Sequence, residues 1–229
     1  MKKQDLYWLL MFIGFSMLIA IPYTRTYYEL FNEKAPYLMG FIKTMILASL
    51  GERLVSRIKY GSYFRGDGFI LKALIWGFLG MVFVLIFPVF YQGVLSAQQH
   101  GLLPGNANGS TYQTFILALL TSILMNVWFA PTFMMLHRIT DAYIELAEGN
   151  PKAVFRIPFS SVLKKIDFQL FFKFIILKTI PFFWIPAHTI TFLLPGGYRV
   201  LFAAYLSLAL GILLSLKGNK SKGASDGSF

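Results

Sequence analysis

The stretch FFWIPAHTITFLLPGGYRV, residues 182–200, decides the fold because it combines the apolar content of a membrane span with residues that interrupt helices. It holds two prolines, Pro186 and Pro195, with a tandem glycine, a tryptophan, a histidine and an arginine. Proline removes a backbone donor, and in lipid each freed carbonyl needs a partner from a neighbouring helix or from water. We therefore predict a proline-broken membrane helix, a tight turn at Pro195 and a further helix.

The composition of the whole chain places it in lipid rather than in water. Of its 229 residues, 56% are hydrophobic and 17% aromatic, and only 14% are charged, against roughly a quarter in soluble domains. So few polar side chains do not cover the surface of a water-soluble fold. The chain contains no cysteine, which excludes disulfides, thiolate chemistry and cysteine metal ligands.

Six apolar runs approach the length of about 20 residues that a spanning helix needs. They are residues 6–22, 36–50, 69–95, 111–136, 168–194 and 200–216. The sequence thus predicts an all-α fold, an integral membrane helical bundle with about six transmembrane helices and a proline-broken fifth helix. We expect one transmembrane helical domain over residues 1–216 and a flexible polar tail over residues 217–229.

The first run follows two lysines and resembles a signal peptide in that respect. The segment SMLIAIP, residues 16–22, offers no small-x-small cleavage pattern. We therefore expect a retained first helix.

Basic residues alternate along the chain in the way that the positive-inside rule requires of a correct set of helices. With a cytoplasmic N-terminus, the inner segments carry Lys2, Lys3, Arg53, Arg57, Lys59, Arg65, Arg138, Lys152, Arg156, Lys164, Lys165, Lys217, Lys220 and Lys222. The outer segments carry Arg25, Lys34 and Arg199, and the outer loop 96–110 has no formal charge. Both termini are therefore predicted to be cytoplasmic.

The formal net charge of +11 follows mostly from this topology and favours contact with anionic membrane lipids. A nucleic-acid partner is not expected, because no basic patch is interleaved with aromatic residues on a soluble domain. A homo-oligomer is one possible assembly.

One group of polar residues has the spacing of a metal site or a proton relay. His137, Asp141 and Glu145 follow one another at intervals of four, and Glu148 is close by. A solvated acidic face paired with Arg138 explains the same pattern and is the favoured interpretation. With no nucleophile elbow, phosphate-binding loop or paired carboxylates in the spans, we predict no catalytic residues, no metal, no cofactor and no enzyme.

Polar side chains inside the apolar runs carry more information, since an ionisable group in lipid costs roughly 2.5–3.5 kcal/mol on insertion scales. Snorkelling explains Lys72 and Arg199 near span ends. Helix–helix hydrogen bonds or a polar seam through the bundle explain the others. The candidate residues of a pore or polar seam are Lys43, Glu52, Asn126, Lys173, Lys178, His188 and Thr191.

The segment W-I-P-A-H-T-I-T-F-L-L-P-G-G-Y-R-V resembles the signature W-P-x-x-Q-x-x-N-F, followed by V-P and Y/H-R-V, of the Mpv-seventeen/PMP-twenty-two family of small organellar membrane proteins. His188 stands where that family has Gln and Thr191 where it has Asn, and the first proline sits one position late. The residues that correspond to the family motif are Trp184, Pro186, Phe192, Pro195, Tyr198 and Arg199.

Shorter segments extend the resemblance over about residues 27–216. MNVWFAPTF, residues 125–133, is similar to the family's D-Q-x-x-F-A-P, and Ala-Pro, Gly-Glu and Glu-Gly-Asn pairs and triplets occur in the expected order. The first run, residues 6–22, is additional to the usual family chain.

The resemblance implies pore-like or channel-like behaviour toward small solutes or metabolites with weak selectivity. A non-transporting structural or scaffold protein remains the alternative, in which the polar seam only joins helices. The sequence start and the extra helix favour a bacterial inner (cytoplasmic) membrane, while the family at large resides in mitochondrial inner and peroxisomal membranes.

Charge selectivity in such a pore follows the groups that line it. Lys43, Lys173 and Lys178 are the cations that snorkelling explains least well, and Glu52 is the nearest candidate counter-charge. We expect a modest ion preference that moves toward cations when Lys173 and Lys178 are replaced by methionine.

The predicted topology is tested by placing single cysteines at Asn106 and Gly218, since the chain supplies no competing thiol. A membrane-impermeant thiol reagent should label the two positions from opposite sides of a sealed membrane. Labelling of both positions from one side would contradict the topology.

Overall fold

A computed structural model describes residues 3–63, 68–105 and 110–225, with side chains described as far as residue 213. The labelling position Asn106 lies outside these residues. Within them the chain forms helices and no strand. The longer helices of the first part are α1 (Lys3–Ala20), α2 (Pro22–Lys34), α3 (Pro36–Tyr60), α4 (Phe69–Gln99), α5 (Thr111–Trp128) and α6 (Ala130–Leu146).

Three short helices follow α6, and the chain then returns to the bundle. They are α7 (Pro151–Val154), α8 (Phe159–Lys165) and α9 (Phe168–Leu170). The last part comprises a π-helical segment (Phe171–Trp184), α10 (Ile185–Leu193) and α11 (Gly196–Ser225). Because α11 continues through Ser225, most of the segment predicted as a flexible tail extends the last helix.

Four helical stretches are long and apolar enough to cross a membrane: Phe69–Gln99, Thr111–Trp128, Phe168–Leu193 and Gly196–Leu213. A fifth is added if α1 and α2, which meet at an angle of 82°, form one broken span. The membrane helical bundle is thus confirmed, but a count of six is not. The run 36–50 lies within the charged helix α3, which is long enough but not apolar enough by the same standard.

Proline residues set several of the helix boundaries. Pro22 and Pro36 each stand at the start of a helix, where the missing backbone donor costs nothing. Pro131 does the same for α6, so the run 111–136 does not form a single helix. Helix α5 ends at Trp128, and α6 begins at Ala130.

The interface between α3 and α4 depends on a close approach of their backbones. A Cβ atom added at Gly40 would lie 2.5 Å from Val84 Cγ2 and 2.9 Å from the Gly80 carbonyl oxygen. A Cβ atom at Gly80 would collide with the Gly40 carbonyl oxygen and with Thr44 Oγ1. Small residues at such crossings let membrane helices make dense van der Waals contact. On another side of α3, Gly51 meets α11 at Leu208.

The fifth predicted span is not broken at its prolines: residues 168–193 form one helical stretch, which changes from π-helical to α-helical hydrogen bonding at Ile185. Pro181 lies inside the π-helical segment and Pro186 lies in the first turn of α10. A π-helix bonds each backbone donor to the carbonyl five residues earlier, and it is rarely longer than one turn. Ser122 Oγ of α5 donates to the Ile185 carbonyl at 2.7 Å across this junction. A neighbouring helix therefore binds a backbone carbonyl where the π-helical segment passes into α10.

The centre of the bundle is a cluster of buried residues from α4, α5, α10 and α11: Phe87, Ala118, Met125, Phe192, Val200 and Ala203. Large apolar side chains such as Ile70, Trp128 and Phe182 are instead exposed on the outside of the bundle. An apolar exterior around a packed core is what lipid as solvent requires.

The α3–α4 contact predicts a difference between two glycines of α4. Gly80→Ala should lower the free energy of unfolding by about 1–3 kcal/mol, because the added methyl forces the two backbones apart. Gly93 has no atom within 4 Å of an added Cβ, so Gly93→Ala should leave stability unchanged or raise it by up to about 1 kcal/mol. Thermal unfolding in detergent, followed by near-ultraviolet circular dichroism, measures both. Equal midpoints for the two variants would contradict the close approach.

Candidate functional site

Two cavities enter the bundle from opposite ends. The first, the inner cavity, has a volume of about 620 Å³ and lies among the C-terminal part of α3, the N-terminal part of α4, and parts of α6 and α11. The second, the outer cavity, has about 340 Å³ and lies among the N-terminal part of α3, the C-terminal part of α4 and the start of α11. The names follow the predicted topology, in which the connection after α3 is cytoplasmic.

A buried pair of polar side chains forms part of the inner cavity wall at its deep end. Asn126 of α5 is fully buried, and its side-chain amide pairs with Nδ1 of His188 in α10, which lies 3.0 Å from Nδ2 and 3.2 Å from Oδ1. Asn126 Nδ2 also donates to the Ser122 carbonyl at 2.9 Å. Both side chains border the inner cavity.

An aromatic ring covers the histidine from one side. The Trp184 ring stacks on His188 with ring centres 5.0 Å apart and an angle of 21° between the planes. Trp184 Nε1 is buried, lies on the cavity wall, and has no hydrogen-bond partner among the described residues. A buried donor of this kind is rare unless water or a ligand satisfies it.

Thr191 does not join this pair. It is fully buried, its hydroxyl donates to the Ala187 carbonyl at 3.0 Å, and it lies on the wall of neither cavity. The reason is local, since a threonine in a helix satisfies its hydroxyl on the carbonyl four residues earlier. The Thr191 hydroxyl is therefore not part of the Asn126–His188 pair.

The outer cavity is basic. Lys43 of α3 is 2% exposed, and its Nζ donates to Asn32 Oδ1 at 2.6 Å and to the Tyr28 hydroxyl at 3.3 Å. In the described part of the chain no carboxylate lies within ion-pair distance of this ammonium. Arg199 lies on the same wall. Among the described residues, the cavity wall thus holds two cations and no acidic residue.

Arg199 also holds the corner between α10 and α11. Its guanidinium donates to the Leu194 carbonyl at 3.0 Å and to the Phe192 carbonyl at 3.2 Å, and it stacks 4.0 Å from the centre of the Tyr91 ring. These contacts satisfy carbonyls that the end of α10 leaves free. Snorkelling is therefore not its main role.

The other residues of the resemblance motif build the same corner. Phe192 is buried in the central cluster, and Pro195 stands immediately before α11. The Tyr198 hydroxyl donates to the Glu29 carboxylate of α2. The motif therefore links α10, α11 and the bent N-terminal helix pair.

One aromatic layer separates the two cavities. Phe87 of α4 is 1% exposed and lies on the outer cavity wall. Its ring centre is 5.8 Å from the His188 ring, which borders the inner cavity, and 5.4 Å from the Phe192 ring. No sequence feature distinguished Phe87 from the other phenylalanines of the spans, because its importance comes from its place between the cavities.

Glu52 does not neutralise Lys43. It lies on the inner cavity wall and accepts a hydrogen bond from Trp76 Nε1 at 2.7 Å. His137 and Asp141 of α6 line the same cavity, and their Nε2 and Oδ2 atoms are 3.6 Å apart. The sequence did not predict that Glu52 would lie near α6, because that contact depends on how α3 and α6 pack.

Lys173 and Lys178 lie outside both cavities and are exposed. They are five residues apart in the π-helical segment, whose hydrogen bonds also span five residues. The two lysines therefore share an exposed side of the helix, where long side chains reach the interface by snorkelling. The structure does not place them in the polar seam.

Comparison of the chain with protein-family models, with curated proteins and with solved structures found no match.

The Asn126–His188 pair predicts coupled effects on stability. Asn126→Leu should lower the free energy of unfolding by about 1–3 kcal/mol, because it leaves a buried imidazole nitrogen without its hydrogen-bond partner. Adding His188→Phe removes that unpaired group and should recover part of the loss. Unfolding of both single variants and the double variant in detergent gives the coupling. Strictly additive losses would show that the two side chains do not depend on each other.

Proposed function

We propose that this protein provides a weakly selective pathway for small solutes across a membrane, and that the described conformation is its closed state. The observation that carries the proposal is the pair of cavities approaching from opposite ends of the bundle, with the Phe87 layer between them. A closed pathway needs such an arrangement, whereas a bundle that only packs helices does not.

The size and chemistry of the inner cavity support a small polar solute. Its volume of about 620 Å³ falls within the roughly 300–1,000 Å³ of ordinary small-molecule sites. Trp184 offers a buried donor without a protein partner, and Asn126 and His188 offer further polar atoms. Water or a solute in the cavity would satisfy these groups.

The outer cavity supports a preference for anions. Lys43 is buried with only neutral oxygen partners among the described residues, and an isolated buried cation is costly. An anion entering this cavity would interact with Lys43 and Arg199 and offset that cost. Selectivity is therefore assigned to Lys43, and no longer to Lys173 and Lys178.

We further propose six spans, with α3 as the sixth. Although α3 is charged, it lies between α4 and α11 and contributes the buried residues Leu47 and Ala48. Both termini would then be cytoplasmic in a bacterial inner membrane. Membership of the Mpv-seventeen/PMP-twenty-two family is part of this proposal and rests on the motif residues.

A scaffold without transport is the second candidate. It is favoured by the complete burial of Phe87 and by the internal hydrogen bonds of Asn126 and Lys43, which also serve helix packing. Neither candidate assigns a chemical reaction to the chain. Flux through the purified protein separates the two.

Removing the aromatic layer should open the pathway. In proteoliposomes, Phe87→Ala should increase the efflux of a small carboxylate severalfold over wild type, because a void then joins the two cavities. Phe171→Ala is the matched control, since Phe171 is also buried, at 4% exposure, but lies on neither cavity wall. No flux from wild type or Phe87→Ala, in protein shown to be folded, would favour the scaffold.

Lys43 should determine whether the pathway prefers anions or cations. Lys43→Met should shift the reversal potential measured under a salt gradient toward cations, since it removes a buried positive charge from the outer cavity. The control is the double variant Lys173→Met/Lys178→Met, which alters two exposed cations and should leave the reversal potential unchanged. A shift in the control but not in Lys43→Met would contradict the assignment.

A further inference from the structure

Three side chains with metal-ligating atoms meet on the wall of the inner cavity, toward its open end. They are Glu52 of α3 with His137 and Asp141 of α6, and one ligand atom from each lies within 4.8 Å of the other two. All three residues are half-buried. They come from two helices that are distant in sequence, so the cluster is a product of the fold and not of one helical face.

The protein leaves part of this cluster unsatisfied. The His137 Nε2 to Asp141 Oδ2 distance of 3.6 Å is beyond an ordinary hydrogen bond. His137 Nδ1 is buried and has no hydrogen-bond partner in the described part of the chain. The carboxylate oxygens and the imidazole therefore lie near one another, but His137 and Asp141 do not form a hydrogen bond.

Trp76 of α4 contacts two of these side chains and holds them in position. Trp76 Nε1 donates to Glu52 Oε1 at 2.7 Å, and the Trp76 ring lies 4.3 Å from the His137 ring between centres. Metal-binding carboxylates are commonly oriented by such an outer hydrogen bond. Trp76 thus fixes the cluster from α4.

We propose that Glu52, His137 and Asp141 bind one divalent transition-metal ion of the Mn²⁺ to Zn²⁺ class. One imidazole with two carboxylates is a donor set that these ions accept, while Mg²⁺ and Ca²⁺ prefer oxygen ligands alone. Ligand atoms about 2.0–2.2 Å from one ion lie at most about 4.4 Å apart. Small side-chain rotations therefore bring the cluster onto a single ion.

Charge and position agree with such an ion. The two carboxylates match the charge of a divalent cation, so the occupied cluster carries no net charge, while Arg53, Lys59, Lys72 and Arg138 also border the inner cavity. Binding would join α3 to α6 and stabilise the folded state by linkage. The site is independent of solute flux, because it requires the cluster alone and not an open pathway.

The structure also revises the composition of the predicted face. Glu145 shares the spacing of His137 and Asp141, but its Oε2 lies 4.0 Å from Lys165 Nζ. Glu52 is instead the third residue of the cluster. The expectation of no metal rested on the α6 spacing, which is common on solvated helices.

Trp76 gives the proposal an internal reporter. The purified full chain in detergent, freed of metal with a chelator, is titrated with Co²⁺, a quencher of nearby indole fluorescence. We expect saturable quenching with one ion per chain, reversed by excess chelator. Trp76→Phe should remove most of the quenching, since the other tryptophans are outside the cluster.

Two variants test the ligands without removing bulk. Glu52→Gln and His137→Asn should each weaken Co²⁺ binding by more than about tenfold, and Gln keeps an acceptor for Trp76. Glu145→Gln is the matched control and should bind as wild type does. Asp141→Asn serves as the second variant if His137→Asn fails to fold.

A separate readout does not depend on fluorescence. Zn²⁺ should raise the thermal unfolding midpoint of wild type and of Glu145→Gln but not that of Asp141→Asn or Glu52→Gln. The proposal is overturned if Co²⁺ quenching is not saturable, if it is equal in wild type and Glu52→Gln, or if Mg²⁺ binds as tightly as Co²⁺.

Discussion

A polar group inside a bilayer is not hydrated by bulk water, so its hydrogen-bond partner must come from within the protein. The rest of this structure depends on that constraint. Asn126 meets His188, Lys43 meets Asn32, and Trp76 meets Glu52. Each pair joins two helices. The polar contacts therefore decide which helices are neighbours, while small residues such as Gly80 decide how close the neighbours come.

The same constraint also explains the positions of the two cavities. Polar side chains attract water or solute into cavities that an apolar core would exclude, and the two cavities follow Asn126 and His188 on one side and Lys43 on the other. Between them the rings of Phe87 and Phe192 restore an apolar layer. A helical bundle with this alternation resembles a closed passage more than a uniform scaffold, which is the basis of the proposed function.

Some of this was predictable from the sequence. The membrane environment and the helical bundle follow from composition, whereas the predicted break of the fifth span is absent, because a π-helical segment accommodates Pro181 and Pro186 lies in the first turn of α10. The membrane and bundle predictions succeeded because each depends on properties that a residue carries wherever the chain places it. The cost of polar groups in apolar runs made Asn126 and His188 candidates for a polar seam, but their contact comes from the packing of α5 against α10.

Other features depend on helix phase and on tertiary contacts, which the sequence does not specify residue by residue. The π-helical segment changes the angular position of Lys173 and Lys178 and leaves both exposed. A long run that was expected to form one span ends at Trp128, because the chain starts a new helix at Ala130. Glu52 joins His137 only because α3 and α6 border the same cavity.

The most direct measurement of the central claim is the access of a membrane-impermeant thiol reagent to each cavity in sealed vesicles. Ser207 borders the inner cavity and Tyr37 the outer one, and the chain has no cysteine of its own. The account predicts that Ser207→Cys is labelled only from the side of the basic connections and Tyr37→Cys only from the opposite side. Labelling of both from one side, or protection of Ser207→Cys from both sides, would contradict two wet cavities that meet at a closed aromatic layer.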